Sequence, residues 1–128
     1  LKSITGTAQY EVNKLSAELG NADVELVRKE LGTEFDMIVH EPDGILEIGQ
    51  AGHSKASGIE RLCASLGIAK EDTYAFGDSA NDVEMLEFVA HGIAMGNGTD
   101  VAKNAAEFVT TDIHKDGIWN GLKHYGLI

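Results

Sequence analysis

The sequence predicts an α/β protein in which a narrow parallel sheet follows a smaller α+β unit. From Ser57 onward, short apolar runs alternate with stretches of helical periodicity, which is typical of βαβ units and a parallel sheet. Before that point, two apolar runs are separated by a turn motif, which indicates an antiparallel hairpin. Between the two parts lies Gly49–His53, a stretch with two glycines. We therefore predict two units, residues 1–50 and residues 51–128.

The α+β unit begins with a strand predicted around Ile4. Two helices are predicted next, each as an apolar stripe closed by a glycine: Val12, Leu15 and Leu19 with Gly20, and Val24, Val27 and Leu31 with Gly32. Two strands follow, Phe35–Val39 and Ile45–Ile48, joined through Glu41-Pro42-Asp43-Gly44. Proline at the second position of this turn and glycine at the fourth suit a type I turn, so the two strands are predicted to pair as a hairpin.

The α/β unit is predicted to contain three parallel strands and four helices. The strands are short apolar runs: Thr73–Phe76, Ile93–Met95 and Phe108–Thr110. The helices are marked by apolar stripes or caps: Ile59, Leu62, Cys63 and Leu66 before a stop at Gly67; Val83, Leu86, Val89 and Ala90 ending near Gly92; a helix capped by Thr99 or Asp100 and running to about Ala106; and Ile118, Trp119, Leu122 and Tyr125 behind a cap at Asp116. A sheet of three parallel strands has two unpaired edges, so we expect another chain, or a further part of the same one, to pair with it.

Composition and charge exclude several classes of function. The 128 residues carry a net charge of −11, and the pI is about 4.7. Nucleic-acid phosphates and anionic membrane surfaces would repel such a chain unless it had a basic patch, so we expect neither as a partner. The sequence shows no apolar stretch long enough to cross a bilayer and no export leader. The single cysteine, Cys63, excludes an intramolecular disulfide and suits a reducing cytoplasm.

The motif GDSAND, residues 77–82, lies between the first predicted parallel strand and the helix that follows it. Because ligands of open parallel sheets bind at the carboxyl ends of the strands, Asp78 and Asp82 are candidate metal ligands. Their oxygens suit Mg²⁺, which takes few protein carboxylates and keeps several waters. The alternative is structural: Asp78 or Ser79 caps the helix, and Asp82 complements the helix dipole. Spacing alone leaves both interpretations open.

Two further residues are candidates for contact with a ligand. Lys55 lies near the start of the first helix of the α/β unit, where the helix dipole disfavours a cation, so it could be placed there to meet a phosphate or a carboxylate. Asn97 lies between two glycines after the second parallel strand, at the same sheet edge as GDSAND. The simpler alternatives are an ordinary surface lysine for Lys55 and a left-handed turn residue for Asn97.

Four stretches of the sequence carry a resemblance to a known family: LEIGQAGHSKASGIERLCASLGI, TYAFGDSANDVEML, GIAMGNGTDVAKNAAEFVT and KDGIWNGL. In order and in spacing, over roughly residues 46–122, they resemble the C-terminal part of the haloacid dehalogenase superfamily, specifically the Cof-type phosphatases with an α+β cap. The resemblance implies an incomplete Rossmann-like parallel sheet, the C-terminal half of the core, preceded by a remnant of the cap. It also implies a Mg²⁺-dependent phosphomonoester hydrolase that acts on small phosphorylated metabolites, such as sugar phosphates, through an aspartyl-phosphate.

The same resemblance implies a role for each candidate residue. Asp78 would ligate Mg²⁺, and Asp82 would support the metal directly or through water. Lys55 would neutralise the nucleophile and the phosphoryl oxygens, Asn81 would help to position the phosphate-side network, and Asn97 would line the same pocket. Positive charge placed in this way is what phosphoryl transfer requires.

The chain departs from the family at the nucleophile. In the family, the nucleophile is the first aspartate of a DxDGT-like motif, and this sequence contains no such motif. We therefore expect a C-terminal portion that is almost inactive by itself and whose sheet is completed by the missing N-terminal half or by a second copy. The alternative is a catalytically inactive binding or interaction module that pairs its sheet edge with a partner.

Overall fold

The computed structural model describes residues 13–21, 23–40 and 44–128. These residues form one antiparallel and one parallel sheet, and none of their helices is long and apolar enough to cross a membrane. The structure confirms the predicted α/β fold, in which an α+β unit precedes a parallel sheet. The elements in chain order are β1 (Lys14–Glu18), α1 (Val24–Leu31), β2 (Phe35–His40), β3 (Ile45–Gln50), α2 (Lys55–Leu66), β4 (Tyr74–Gly77), α3 (Val83–Phe88), β5 (His91–Ala94), α4 (Asp100–Ala105), β6 (Phe108–Val109) and α5 (Gly117–His124).

The antiparallel sheet has the strand order β1-β3-β2 and two chemically different faces. Side chains alternate between the faces along each strand. One face is apolar and carries Met37 and Leu46, both buried. The polar face carries Lys14 on β1, Asp36 on β2 and Glu47 at the middle of β3. Because the sheet is amphipathic in this way, its polar face can form the wall of a site, while its apolar face is buried at Met37 and Leu46 and exposed at Leu15 and Phe35.

The strand β1 shows that the helix predicted from Val12, Leu15 and Leu19 is wrong. Val12 lies outside the described residues, but Lys14–Glu18 is extended and pairs antiparallel with β3. Leu15 and Leu19 are spaced as on a helix, yet the same spacing also places both on one face of a strand. Without β1, the edge of β3 would carry unpaired N–H and C=O groups, whereas a short helix gains little stability of its own.

The second predicted helix and the antiparallel hairpin are confirmed. Helix α1 begins behind Asp23, whose carboxylate accepts hydrogen bonds from two backbone N–H groups of the first turn, at 3.0 and 3.2 Å. It ends at Gly32, which has a φ of 65°. Strands β2 and β3 pair antiparallel as predicted. The predicted strand at Ile4 and the turn residues 41–43 lie outside the described residues.

The parallel sheet has the strand order β4-β5-β6, with α3 and α4 as the crossover helices. Its centre is closely packed, with Ile93 and Ala102 both 0% exposed. Gly92 lets α3 approach β5, because a Cβ at this position would lie 2.3 Å from the carbonyl oxygen of Leu86. Within the part of the chain that the structure describes, β4 pairs with β5 only, so its other edge is unpaired.

One helix start and two predicted side-chain caps differ from the predictions. Helix α2 begins at Lys55 instead of near Ser57, because the side chains of Ser54 and Ser57 form a reciprocal capping box. Thr99 precedes α4 but makes no side-chain capping bond. Asp116 precedes α5 as predicted, yet its side chain does not cap the helix either; its backbone lies in the left-handed region with a φ of 56°.

The two sheets are joined by residues 51–54 and lie against each other. Strand β2 packs near the 3₁₀ turn Ala80–Asp82, so the antiparallel sheet meets the GDSAND loop. Asp36 Oδ2 accepts a hydrogen bond from the backbone N–H of Gly52 at 3.0 Å, which ties the linker to β2. The domain boundary predicted after residue 50 stays a prediction.

An aromatic cluster at the amino ends of the parallel strands holds the last helix against the sheet. The rings of Tyr74, His91 and Tyr125 are in contact, with centroids 4.6, 4.9 and 5.4 Å apart. Glu107 Oε2 accepts a hydrogen bond from the Tyr125 hydroxyl at 3.0 Å and lies 2.9 Å from His91 Nδ1. Burial and the Glu107 carboxylate raise the pKa of Tyr125 to about 12. The cluster lies at the opposite end of the strands from GDSAND.

Candidate functional site

The GDSAND loop leaves β4 at its carboxyl end and is held against the loop that follows β5. The backbone N–H of Thr99 donates to the carbonyl oxygen of Asp78 at 2.8 Å, and the Thr99 hydroxyl donates to the same oxygen at 3.3 Å. Gly98 permits this approach, because a Cβ there would lie 2.9 Å from that oxygen. The two loops therefore meet at the carboxyl edge of the sheet, as their positions in the sequence predicted.

Asp82 is buried, and its carboxylate holds the GDSAND loop in place through hydrogen bonds. Only 4% of the residue is exposed. Its Oδ1 lies 2.5 Å from Lys55 Nζ, and its Oδ2 accepts hydrogen bonds from the backbone N–H groups of Asp78 at 2.9 Å and Ser79 at 3.1 Å. Both carboxylate oxygens thus face donors of the chain itself, which favours an indirect role in a metal site over direct ligation.

These hydrogen bonds hold Asp82 in its charged form. Burial raises the pKa of the Asp82 carboxyl, but the hydrogen bond from Lys55 and the two backbone N–H groups outweigh burial, so the pKa lies below its ordinary value of 3.8. A carboxyl group whose pKa is lowered by folding stabilises the folded state above its ordinary pKa. That contribution disappears as the pH falls through the lowered pKa.

We expect the stability difference between wild type and Asp82→Asn to be full at neutral pH and to shrink below about pH 4, as the carboxyl group of the wild type becomes protonated. Urea denaturation of both proteins between about pH 7 and about pH 3 measures this difference. A difference that stays constant over this range would contradict the charged carboxylate as the source of the stability.

Asp78 is exposed at the carboxyl edge of the sheet. The hydrogen bonds that it makes within the described residues all use its backbone. Its carboxylate is therefore an unengaged oxygen donor, which fits Mg²⁺, an ion that takes one or two protein carboxylates and completes its shell with water. In residues 13–21, 23–40 and 44–128, no three His, Cys, Asp or Glu side chains converge as a metal cluster. Asp78 would thus be one ligand of a site to which other groups contribute.

Lys55 and Asn81 complete a network around Asp82. Lys55 Nζ lies 3.4 Å from Asn81 Oδ1, and the same oxygen accepts a hydrogen bond from the Ser79 hydroxyl at 2.7 Å. The Lys55 side chain is 48% exposed. Since an ammonium has three N–H groups and two are directed at Asp82 and Asn81, the third is available for an anion.

A cavity of about 650 Å³ lies between the polar face of the antiparallel sheet and the GDSAND loop. The sheet contributes Lys14, Asp36 and Glu47 to its wall, and the opposite side contributes Lys55 and Asn81. A cavity of this volume suits a small metabolite. A second cavity, of about 850 Å³, lies at one end of the antiparallel sheet and includes no residue of the GDSAND loop. We therefore assign the candidate site to the smaller cavity.

Asn97 is placed differently from the other predicted site residues. It is exposed, and its Oδ1 accepts a hydrogen bond from the backbone N–H of Ile113 at 2.8 Å. This bond joins the loops that follow β5 and β6, and Asn97 does not line the cavity beside Lys55. The structure thus brings Lys55, Asn81 and Asp82 together, next to Asp78, and leaves Asn97 on the neighbouring loop. Its contact with a ligand stays a prediction.

An ionic cluster lies on the sheet side of the cavity and was not predicted from the sequence. Glu47 Oε2 lies 2.6 Å from Lys14 Nζ and 3.3 Å from His40 Nε2. The hydrogen bond from Lys14 holds the pKa of Glu47 below its ordinary value, although burial acts in the opposite direction. The signal available in the sequence was the polar alternation of Lys14, Ser16 and Glu18, which the helix prediction concealed.

Comparison with protein families connects this arrangement to known proteins. A statistical model of the haloacid dehalogenase-like hydrolase family matches residues 3–122. The chain is similar to the 5-amino-6-(5-phospho-D-ribitylamino)uracil phosphatase YitU of Bacillus subtilis (strain 168), with 42% identity over 84 residues that cover 66% of this chain and 31% of that protein.

Solved structures show the same similarity. A hypothetical protein from Geobacillus kaustophilus HTA426 is 45% identical, with a TM-score of 0.70 over 84% of this chain and 41% of its own. The subclass IIB sugar phosphatase BT4131 is 31% identical, with a TM-score of 0.84 over 93% of this chain and 45% of its own. The chain therefore spans less than half the length of each of these relatives.

Proposed function

Because this chain belongs to the haloacid dehalogenase-like hydrolase family, we propose that it is the C-terminal portion of a Mg²⁺-dependent phosphomonoester hydrolase of the Cof-type branch. The observation that carries the proposal is the contact between Lys55 and Asp82, which places a cation beside the loop that bears Asp78. A phosphoryl group in transfer requires fixed positive charge around its oxygens. Two similar proteins, YitU and BT4131, are named as phosphatases, which supports hydrolysis of a phosphate ester as the reaction.

In this proposal, Lys55 binds the phosphoryl oxygens. Its ammonium is held by Asp82 and Asn81, so little conformational freedom remains to be lost when the anion binds. Asp82 does not touch the substrate. It keeps Lys55 and the backbone of Asp78 at a fixed spacing, which makes it a positioning residue.

Asp78 would hold Mg²⁺, which when bound supplies further neutralisation of charge on the phosphoryl oxygens. The exposed carboxylate at the sheet edge fits this role. Asn81 would orient the phosphate-side network through its contacts with Lys55 and Ser79. Asn97 would act from the adjacent loop, where its Oδ1 accepts a hydrogen bond from the backbone N–H of Ile113 and so stabilises the position of that loop.

The nucleophile has to come from outside this chain, since its sequence contains no DxDGT-like motif. We propose that an N-terminal half adds a parallel strand to the unpaired edge of β4 and brings the aspartate that forms the aspartyl-phosphate. A second copy of this chain could cover the same edge, but it would bring no such aspartate.

The substrates that we propose are small phosphorylated metabolites of the sugar-phosphate type. BT4131 is described as a sugar phosphatase, and YitU is named for a phosphate ester of a ribityl compound. The cavity of about 650 Å³ beside Lys55 accommodates molecules of this size. A reducing cytoplasm, inferred from the single Cys63, is part of the same proposal.

We expect the chain alone to hydrolyse p-nitrophenyl phosphate no faster in Mg²⁺ than Asp78→Asn does. Removal of a covalent nucleophile lowers a rate by on the order of 10⁶. Adding the separately produced N-terminal part of the Geobacillus kaustophilus protein should restore Mg²⁺-dependent turnover. In that mixture, we expect Asp78→Asn and Lys55→Met each to lower the rate by about 100-fold or more.

The outcome of this complementation assay separates the alternatives. Turnover by the chain alone, absent from Asp78→Asn, would mean that a nucleophile exists among its own residues and that the proposal of a missing aspartate is wrong. A stable complex without turnover, indifferent to Lys55→Met, would overturn the phosphatase proposal in favour of the second candidate function.

That second candidate is a catalytically inactive binding module. The unpaired edge of β4 favours it, because an exposed strand edge can pair with another chain. Two leucines of α2 that are largely exposed, Leu62 and Leu66, add apolar surface for a partner. A module of this kind would need the sheet edge but not the Lys55–Asp82 pair.

A further inference from the structure

Glu47 occupies the centre of the polar sheet face that lines the cavity. It lies on the middle strand, β3, with Ser16 and Ile38 as its register partners on the two outer strands. Its side chain is 19% exposed. Both basic neighbours, Lys14 and His40, approach its Oε2, and none of the described residues is directed to Oε1. One oxygen of a charged carboxylate is therefore available to a molecule in the cavity.

The sheet leaves room for a ligand next to this carboxylate. Gly49 lies on the same face as Glu47, between Lys14 and Asp36 in the register of the sheet. A Cβ at Gly49 would meet no atom within 4 Å. Since Gly49, Lys14 and Asp36 all line the cavity, the missing side chain opens a recess beside Glu47.

The charges that line the cavity balance one another. Three cationic side chains and three carboxylates contribute to its wall: Lys14, Arg28, Lys55, Asp36, Glu47 and Glu84. Lys14 is engaged by Glu47 at 2.6 Å, and Arg28 lies 4.0 Å from Glu25. Lys55 also has a carboxylate partner, Asp82 at 2.5 Å, but its side chain is 48% exposed and lies beside the GDSAND loop, so we take it as the cation that receives the phosphoryl group. The cation next to Glu47, Lys14, is already paired with that carboxylate.

We propose that Glu47 determines which alcohol the site accepts. Its carboxylate accepts hydrogen bonds from the hydroxyl groups of a neutral, polyhydroxylated leaving group, and it repels a leaving group that carries a carboxylate of its own. The proposal rests on the proposed function, because it takes the phosphoryl group to lie at Lys55, which lines the same cavity as Glu47. A hydroxyl donating to a carboxylate forms a charge-assisted bond, about twice as strong as a neutral one, whereas two like charges disfavour each other.

An ion pair that only stabilised the sheet would behave differently. Glu47→Gln keeps the shape of the side chain and an acceptor oxygen but removes the charge. A purely structural role would therefore change stability and leave the order of ligand affinities unchanged. Glu18→Gln is the matched control, because Glu18 lies on the same polar face, is exposed and does not line the cavity.

The test is a binding titration of the full chain, labelled with ¹⁵N, in the presence of Mg²⁺. The probes are inorganic phosphate, ribose 5-phosphate and 2-phosphoglycolate, and backbone amide shifts report the dissociation constants. Inorganic phosphate measures the phosphoryl subsite alone. We expect wild type to bind ribose 5-phosphate about tenfold more tightly than phosphate, and to bind 2-phosphoglycolate no more tightly than phosphate.

We expect Glu47→Gln to reduce the preference for ribose 5-phosphate by about five- to tenfold and to raise the affinity for 2-phosphoglycolate, with phosphate binding unchanged. Glu18→Gln should match wild type. Lys14→Met provides a second, independent variant: it leaves the carboxylate and removes its cation. We expect it to lower the affinity for 2-phosphoglycolate by about threefold relative to phosphate.

Two results overturn the inference in distinguishable ways. If phosphate binds but the order of the three probes is the same in wild type, Glu47→Gln and Lys14→Met, the role of Glu47 is wrong and the proposed function stands. If phosphate causes no shift around Lys55 and Asp78 in any of the proteins, even after the separately produced N-terminal part is added, the proposed function fails, and the role of Glu47 fails with it.

Discussion

Replacing Asp82 with asparagine is expected to lower the free energy of unfolding by about 2–3 kcal/mol at neutral pH. Whichever way the amide is turned, its NH₂ group faces other donors, either the Lys55 ammonium or the backbone N–H groups that Asp82 now receives. Because the position is 4% exposed, water cannot easily supply the lost acceptor. Urea denaturation of the two proteins, with the m values compared, measures the change.

Asp78→Asn is the matched control for this prediction. It makes the same chemical change on the same loop, but Asp78 is exposed and its hydrogen bonds within the described residues use its backbone. We expect its stability to stay within about 0.5 kcal/mol of wild type, while the Mg²⁺ ligation that we propose for Asp78 would be lost. If both variants lost the same stability, the prediction that Asp82 stabilises the loop and that Asp78 does not would be wrong.

Gly92→Ala is expected to destabilise the fold by about 3 kcal/mol. The added Cβ would lie 2.3 Å from the carbonyl oxygen of Leu86 and 3.0 Å from its carbonyl carbon, both of them backbone atoms of α3. Helix α3 would have to move away from β5 to relieve the clash. Since Leu86 is only 2% exposed, that movement would also loosen the core around it. Urea or thermal unfolding measures the loss.

Gly58→Ala tests whether packing, and not the loss of glycine as such, causes that effect. Gly58 lies inside α2, and a Cβ there would meet no atom within 4 Å. Alanine is favoured over glycine in a helix by about 0.5–1 kcal/mol, so we expect stabilisation of that size. A neutral Gly92→Ala would contradict the close approach of α3 to β5, and a destabilising Gly58→Ala would contradict the helical environment of Gly58.

Lys55, Asn81 and Asp82 form a hydrogen-bonded network within this chain, whereas its sequence does not contain the aspartate nucleophile that we propose. Lys55, Asn81 and Asp82 are in contact with one another, and the Asp82 carboxylate fixes the backbone beside Asp78. Under the proposed function, this network would meet an aspartate on a strand that pairs with the edge of β4. Complementation by a separate N-terminal part is therefore a practical test of the proposed function.

Much of the candidate site could be predicted because it depends on local rules. The strand, loop and helix around GDSAND are visible as changes of hydrophobic period, and parallel strands bring their carboxyl ends to one edge. The contact between Thr99 and the Asp78 carbonyl confirms that the loops after β4 and β5 meet there. The family resemblance placed Lys55 and Asn81 in one site, and in the structure their side chains lie 3.4 Å apart.

The errors occurred where a local pattern fits two structures or where a partner lies far away in the chain. The spacing of Leu15 and Leu19 suits a helix and also one face of a strand, and pairing with β3 selected the strand. Asp116 has the composition of a helix cap, yet its backbone takes a left-handed conformation and its side chain does not cap. Glu47 was not predicted as a site residue, because its basic neighbours come from two other strands.

Local pattern alone was sufficient for the order of helices and strands from Ser57 onward, whereas the family was predicted from the resemblance of four motifs and the missing DxDGT-like aspartate from inspection of the sequence. Hydrophobic period and turn chemistry act over a few residues and can be read directly from neighbouring letters. The role of Asp82 came only from packing, because Lys55 and Asp82 are 27 residues apart in the chain and meet through the docking of α2 beside the GDSAND loop. The polar wall of the cavity also depends on tertiary structure, because the register between β1, β2 and β3 determines which of their side chains lie on the same face.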